Sequence, residues 1–136
     1  MVNYKALKYY RWAIVWTIIV LVLCNADLSE ASKSTSHFFF AGFDKIVHLG
    51  FFFILTLLLF YGKIKYQHNY SFRSLTIFKI ILISVIFGGG IELLQWKVFT
   101  YRSADWWDFA CDMFGCFMGV TSFVLFHRSN YNEKDF

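Results

Sequence analysis

Charge is scarce in this chain, and its scarcity excludes the commonest kind of protein. Of 136 residues, 16% are charged and 58% are hydrophobic, with a mean hydropathy of +0.51. A soluble domain carries about a quarter of its residues as charges and is about 45–50% apolar. The composition therefore predicts one small integral membrane domain, with no room for a separate soluble one. Proline is absent, and cysteine is limited to Cys24, Cys111 and Cys116. That odd number, with no Cys-x-x-Cys and no Cys/His metal spacing, excludes a disulfide framework or a cysteine-based zinc site; the three are expected as small apolar residues. No His-Glu-x-x-His, Gly-x-Ser-x-Gly or P-loop motif occurs, so none of those catalytic classes is signalled. No basic run interleaved with aromatics suggests a nucleic-acid surface. The net charge of +4 is assigned instead to cytoplasmic loops, which collect lysine and arginine. Internal repeats and low-complexity segments are absent as well.

What is present is four apolar runs. They cover Tyr9–Ala26, Phe43–Tyr61, Leu75–Gln95 and Asp105–Phe126. Crossing ~30 Å of hydrocarbon takes about 17–25 residues, and all four qualify, the first marginally. In lipid the backbone must satisfy its own hydrogen bonds, so each run is expected to be a helix. The fold expected is all-α, a four-helix transmembrane bundle in a single domain, 1–136. Lys5, Lys8 and Arg11 ahead of the first run resemble a signal peptide, but Asn25-Ala26-Asp27 is a poor cleavage site and Leu23 before Cys24 spoils a lipoprotein box. The first run is expected to remain as a span.

Lysine and arginine set the expected orientation. Lys5, Lys8, Arg11, Lys63, Lys65, Arg73, Lys79, Arg128 and Lys134 fall on one side, and Lys33, Lys45, Lys97 and Arg102 on the other. The heavier side is cytoplasmic, which puts both termini inside. The segments Asp27–Gly42 and Trp96–Ala104 then face outward.

With that topology the polar residues converge. Asp44, Lys45 and His48 open the second span, Glu92 and Gln95 close the third, and Asp105, Asp108 and Asp112 lie in the outer half of the fourth. All meet at the extracytoplasmic face, whereas Lys79 lies near the inner interface, where its stem can snorkel. Asp105, Asp108, Asp112, Gly115, Gly119 and Ser122 follow a spacing that makes one helix face, acidic outside and small inside. Small residues let helices approach closely in lipid, so Gly115 and Gly119, with Gly88, are expected at helix contacts. Ser84, Gly88, Glu92 and Gln95 share a face of the third helix, with Gly88-Gly89-Gly90 loosening it below Glu92.

Each piece has an ordinary structural explanation. Asp44 and Asp105 suit helix starts, His48 suits a packed core position, and Arg102 suits pairing with Asp105 or Asp108. Trp96, Trp106 and Trp107 suit an interfacial belt. Structure alone explains poorly why Glu92, Asp108 and Asp112 all sit at span depth, since each such residue costs roughly 2.5–3.5 kcal/mol to insert. Two chemistries fit them. Close carboxylates share protons and act as acids or bases, and with His48 they suit a divalent cation. No cofactor is otherwise evident. Binding of a polar headgroup or glycan, with Arg102 gripping an anion, is a third use.

The segment Glu92-Leu93-Leu94-Gln95, then Arg102, Asp108, Gly115 and Gly119, resembles the VanZ-like family. Asp44-Lys45-Ile46-Val47-His48 resembles that family's Asp-Lys-x-x-His opening of an earlier span. The likeness covers roughly Asp44 to Gly119 and matches the four-span layout. Where the family usually has Asn, this chain has Asp112, which adds a potential charge. The resemblance implies a bacterial inner-membrane protein whose family includes a determinant of low-level resistance to teicoplanin-type lipoglycopeptides. It makes Asp44, Lys45, His48, Glu92, Gln95, Arg102 and Asp108 the motif residues. The expected partner is a membrane lipid, a lipid-linked glycan or a lipoglycopeptide held in an extracytoplasmic polar pocket. A membrane hydrolase or transferase using Glu92, Asp108 and His48 on a lipid-linked substrate is the second expectation. A structural subunit with an internal polar clamp is the third, and a transporter a weaker fourth.

Overall fold

The computed structural model describes residues 4–25, 42–67, 74–98 and 105–132. Arg102 and most of the two segments expected to face outward lie outside these residues. Four helices follow one another: α1 Tyr4–Asn25, α2 Phe43–Gln67, α3 Ser74–Lys97 and α4 Trp106–Asn132. Each contains a stretch long and apolar enough to cross a membrane: Ala6–Asn25, Phe43–Tyr66, Ser74–Lys97 and Trp106–Phe126. The protein is thus an all-helical, multi-pass membrane protein, with no strand among the described residues.

The helices outrun the apolar stretches that predict them. α2 continues past Tyr61 through Lys63 and Lys65 to Gln67, and α4 continues past Phe126. Hydrophobicity marks the segment that lipid must cover, while the backbone keeps its hydrogen-bonding pattern into the polar zone beyond. The start of α4 is marked by chemistry. Asp105 is the residue before the helix, its carbonyl accepts from the Asp108 and Phe109 amides at 3.0 and 3.3 Å, and its Oδ1 accepts from Trp107 N–H at 2.9 Å. That is an N-cap, which satisfies amide donors the helix itself leaves open.

α2 is the centre of the bundle. It packs most extensively on α4 and then on α1, while α3 reaches the bundle chiefly through α4. Only 17% to 28% of the residues in each spanning stretch are buried inside the protein. The remaining apolar surface, with Ile18, Val22, Phe78, Ile86 and Phe117 all exposed, is what a lipid environment covers. One apolar core holds Val20, Cys24, Phe52, Leu55 and Ile91. A second holds Phe60, Ile80, Cys116 and Val120, with Phe60 stacked on Phe123 at 4.1 Å between ring centres.

The α2–α4 contact depends on missing side chains. A Cβ at Gly115 would run into the Leu49 carbonyl, and one at Gly119 would sit 2.8 Å from Thr56 Cβ and 3.1 Å from the Phe53 carbonyl oxygen. The two backbones therefore touch along a small-x-x-x-small track, the device that lets helices associate without a hydrophobic driving force. Because the obstruction at Gly115 is backbone, which cannot rotate away, Gly115→Leu is expected to cost about 3 kcal/mol or more. Denaturation of the purified variant in detergent measures it, and wild-type stability would refute the contact. The track ends sooner than the spacing predicts. Ser122 is exposed, and the buried face passes instead to Cys116 and Val120. α3 remains helical through Gly88-Gly89-Gly90, so the glycine run does not break it.

Candidate functional site

The buried residues of this membrane protein include an unusual share of polar ones: His48, Gln95, Asp108 and Asp112 are each at most 4% exposed. Three helices deliver them to one end of the bundle. α2 supplies Asp44, Lys45 and His48 from its first two turns. α3 supplies Glu92 and Gln95 from its last two, and α4 supplies Asp108 and Asp112 directly after the Asp105 cap.

Lys45 neutralises the acidic start of α4. Its Nζ donates to Asp105 Oδ2 at 2.8 Å and to Asp108 Oδ1 at 3.1 Å. Arg102, for which pairing with Asp105 or Asp108 is one expectation, lies outside the described residues; among the described residues Lys45 bonds both aspartates. The Asp108 side chain is 5% exposed, whereas those of Lys45 and Asp105 are 37% and 40% exposed. Asp108 is therefore the desolvated member of the trio, and Lys45 reaches it from the rim.

Asp105 holds the rim together. Besides Lys45 and the Trp107 amide, its own N–H donates to Glu92 Oε2 at 3.0 Å, which ties α4 to the end of α3. The Lys45 ammonium, followed by the Trp107 N–H, pulls the Asp105 carboxyl below the ordinary aspartate range. A depressed native pKa means that the ionised form supports the fold. Its contribution is complete above the unfolded value of ~3.9 and is lost as pH falls through the lower native value. The first turn of α4 is accordingly expected to stay ordered at pH 4 and to loosen below it, read as faster hydrogen exchange at the Trp107 amide. Loosening that begins well above pH 4 would show that Asp105 is not the cap.

One turn deeper, His48 Nδ1 lies 2.9 Å from Asp112 Oδ1, with side chains 1% and 0% exposed. The Cys24 side chain interacts with the same imidazole, and His48 Nε2 has no hydrogen-bond partner. Asp112 Oδ2 is likewise unpartnered. A Cβ at Gly88 would lie 3.1 Å from that oxygen, so Gly88, expected as a packing residue, also leaves room beside the carboxylate. Ligand-capable atoms of His48, Glu92 and Asp112 all lie within 4.8 Å of one another, as do those of Asp44, His48 and Asp108.

Gln95 serves another purpose. Its Nε2 donates to the Cys24 backbone carbonyl at 2.9 Å, one of the last carbonyls of α1 and so without a partner inside that helix. The bond pins the end of α1 over the cluster. Cys24 is the residue that sequence reasoning missed, since a lone cysteine in an apolar run carries no sign of what it touches.

Glu92 also faces outward. A groove of about 470 Å³ between α3 and α4 is lined by Gly89, Glu92, Leu93, Trp96, Trp106 and Phe109. Trp96 and Trp106 are 68% and 85% exposed at its edges.

These features define a multi-pass membrane protein with a carboxylate–imidazole cluster buried at one end of its bundle. The family follows from comparison: the VanZ/LLP1 family model matches residues 5–127. The chain belongs to that family. A protein of Schizosaccharomyces pombe described as uncharacterized is 31% identical over 85 residues, which is 62% of this chain and 49% of the relative. The match thus takes in about half the length of that curated relative. No solved structure matches.

Proposed function

We propose that the protein is a bacterial inner-membrane protein, with both termini in the cytoplasm, whose polar pocket engages a cell-envelope amphiphile at the extracytoplasmic face. The observation that carries this reading is the double position of Glu92, which belongs to the buried cluster with His48 and Asp112 and also lines the aromatic groove between α3 and α4. An amphiphile can lay its apolar part along Leu93, Phe109 and the tryptophans while its polar head reaches the Glu92 side chain in the groove wall. The groove volume falls within the ~300–1,000 Å³ of small-molecule sites. Carboxylates accept hydrogen bonds, so the head that suits them carries hydroxyl or amino groups, as a glycan does. Arg102 takes an anionic group of the same molecule in this reading. Family membership supports a lipid-linked glycan or a teicoplanin-type lipoglycopeptide as the class. The asymmetry of lysine and arginine along the chain supports the orientation. The similarity to a fission-yeast protein means that the site, rather than the host, has to be tested.

The experiment is lipoglycopeptide sensitivity in a bacterial host lacking the protein, complemented with wild type, Glu92→Gln or Arg102→Ala at equal membrane level. Wild type is expected to raise tolerance, and both variants to lose most of that gain. Full function in both variants would overturn the reading.

A second reading is favoured by the His48–Asp112 pair. A buried carboxylate that orients an imidazole and leaves its other nitrogen unpartnered is an arrangement used for acid–base catalysis. A membrane hydrolase or transferase acting on the same lipid-linked class would use it. Turnover abolished by His48→Gln while amphiphile binding persists would select this reading over simple engagement.

A further inference from the structure

We propose that His48, Glu92 and Asp112 hold one divalent transition-metal cation, of the Zn²⁺ or Mn²⁺ class. The site does not depend on the amphiphile reading, since its ligands come from the chain alone.

Geometry comes first. The three residues project from α2, α3 and α4, and their ligand atoms lie within 4.8 Å of one another. An ion with bonds of about 2.0–2.2 Å separates its ligand atoms by roughly 3–4.4 Å, so a small rotation of one side chain closes the set. The second observation is independent of that distance. His48 Nε2, Asp112 Oδ2 and Glu92 Oε1 are all buried and all without a hydrogen-bond partner, and buried polar atoms are nearly always satisfied. Two of them belong to side chains at most 1% exposed. These open atoms belong to the three side chains whose ligand atoms cluster, and a cation is a satisfier that imidazole and carboxylates share.

Charge points the same way. Lys45 is engaged by Asp105 and Asp108, and among the described residues no lysine or arginine pairs with Glu92 or Asp112. Asp112 is met by the His48 imidazole and Glu92 by the Asp105 N–H; carboxylates at span depth without a lysine or arginine partner are costly, and a bound dication lowers that cost. The same facts rank the alternative set lower: in Asp44, His48 and Asp108 the first residue is exposed and the last already bonds Lys45. Gly88 keeps α3 clear of Asp112 Oδ2, and the groove beside Glu92 offers a path of entry. An imidazole among the donors selects a transition metal over Ca²⁺ or Mg²⁺, which prefer all-oxygen shells. Three protein ligands leave coordination positions open for water or for a ligand head.

The test uses the purified full chain in detergent, stripped with chelator and titrated with Co²⁺ without any amphiphile present. One Co²⁺ per chain is expected, with a ligand-field band that Zn²⁺ removes. Asp112→Asn and Glu92→Gln are each expected to weaken binding about 100-fold or more, beyond the ~10–100-fold typical of outer-shell changes. Wild-type binding by both variants overturns the site, and so does a wild-type chain with no Co²⁺ band at millimolar metal. A measurement on wild type alone guards against variants that fail to fold. With Mn²⁺ bound, electron spin-echo modulation from one imidazole nitrogen is expected, and its absence overturns ligation by His48. Loss of lipoglycopeptide tolerance bears on none of these readouts, so this proposal and the amphiphile reading fail separately.

Discussion

Asp112→Leu is expected to cost about 3 kcal/mol of folding stability, and the double variant His48→Leu/Asp112→Leu to recover most of it while losing all function. The reasoning rests on burial. His48 and Asp112 are 2.9 Å apart with side chains at most 1% exposed, so removing one leaves the other dry and unpaired. Water cannot repair the loss, and the full cost of the stranded group appears. Removing both at once leaves nothing stranded, and leucine has nearly the shape of aspartate with methyls in place of oxygens. Replacing a buried polar pair by apolar residues of similar volume is often neutral or better. Reversible denaturation in detergent across the four chains of the cycle measures the coupling. The double variant also separates function from architecture. If the polar network is only a clamp, a stable apolar replacement should retain the phenotype. A double variant that folds and still works would show that the function needs neither His48 nor Asp112, and would leave the pair as an architectural clamp.

How much of this was legible beforehand differs from one feature to the next. Four spans are readable because hydrocarbon thickness fixes the length of apolar run a helix needs, and α1 to α4 contain the expected stretches to within one residue. The close approach at Gly115 and Gly119 is readable because period 3.6 puts them on one face; that α2 is the partner is not, since periodicity gives a face and never its neighbour. The same limit hid Lys45 as a partner of Asp105 and Asp108. Helix phase brought Asp105 and Asp108 together, but which cation reaches them depends on how α2 sits against α4. Gln95 shared its predicted face with Ser84 and Gly88, yet its amide turned to an open carbonyl at the end of α1, a demand created by another helix. Gly88 is the subtlest case. As a small residue it reads as packing, and only the position of Asp112 Oδ2 reveals that the missing side chain clears space for a carboxylate.

Lys45→Met is expected to lower stability by about 1–2 kcal/mol, less than the ~3–5 kcal/mol of breaking a fully buried pair, because Lys45 is itself 37% exposed. The loss should come almost entirely from Asp108. Asp105, with its side chain 40% exposed and the Trp107 amide still bonded, retains water and a donor when Lys45 is gone, whereas Asp108, 5% exposed, loses the cation that offsets its desolvation. Lys45→Met/Asp108→Asn is therefore expected to restore most of the stability and Lys45→Met/Asp105→Asn almost none, measured by denaturation in detergent at neutral pH. Equal rescue by the two aspartate changes would mean that Lys45 acts at the rim only. The same lysine has a consequence for the neighbouring ligands. While Lys45 occupies Asp108, a cation is confined to the His48, Glu92 and Asp112 side of the cluster. Once the ammonium is gone, a positive charge no longer repels that ion, and Co²⁺ is expected to bind Lys45→Met more tightly than wild type. Stability and metal affinity should thus move in opposite directions in this one variant, a combination that general misfolding does not produce.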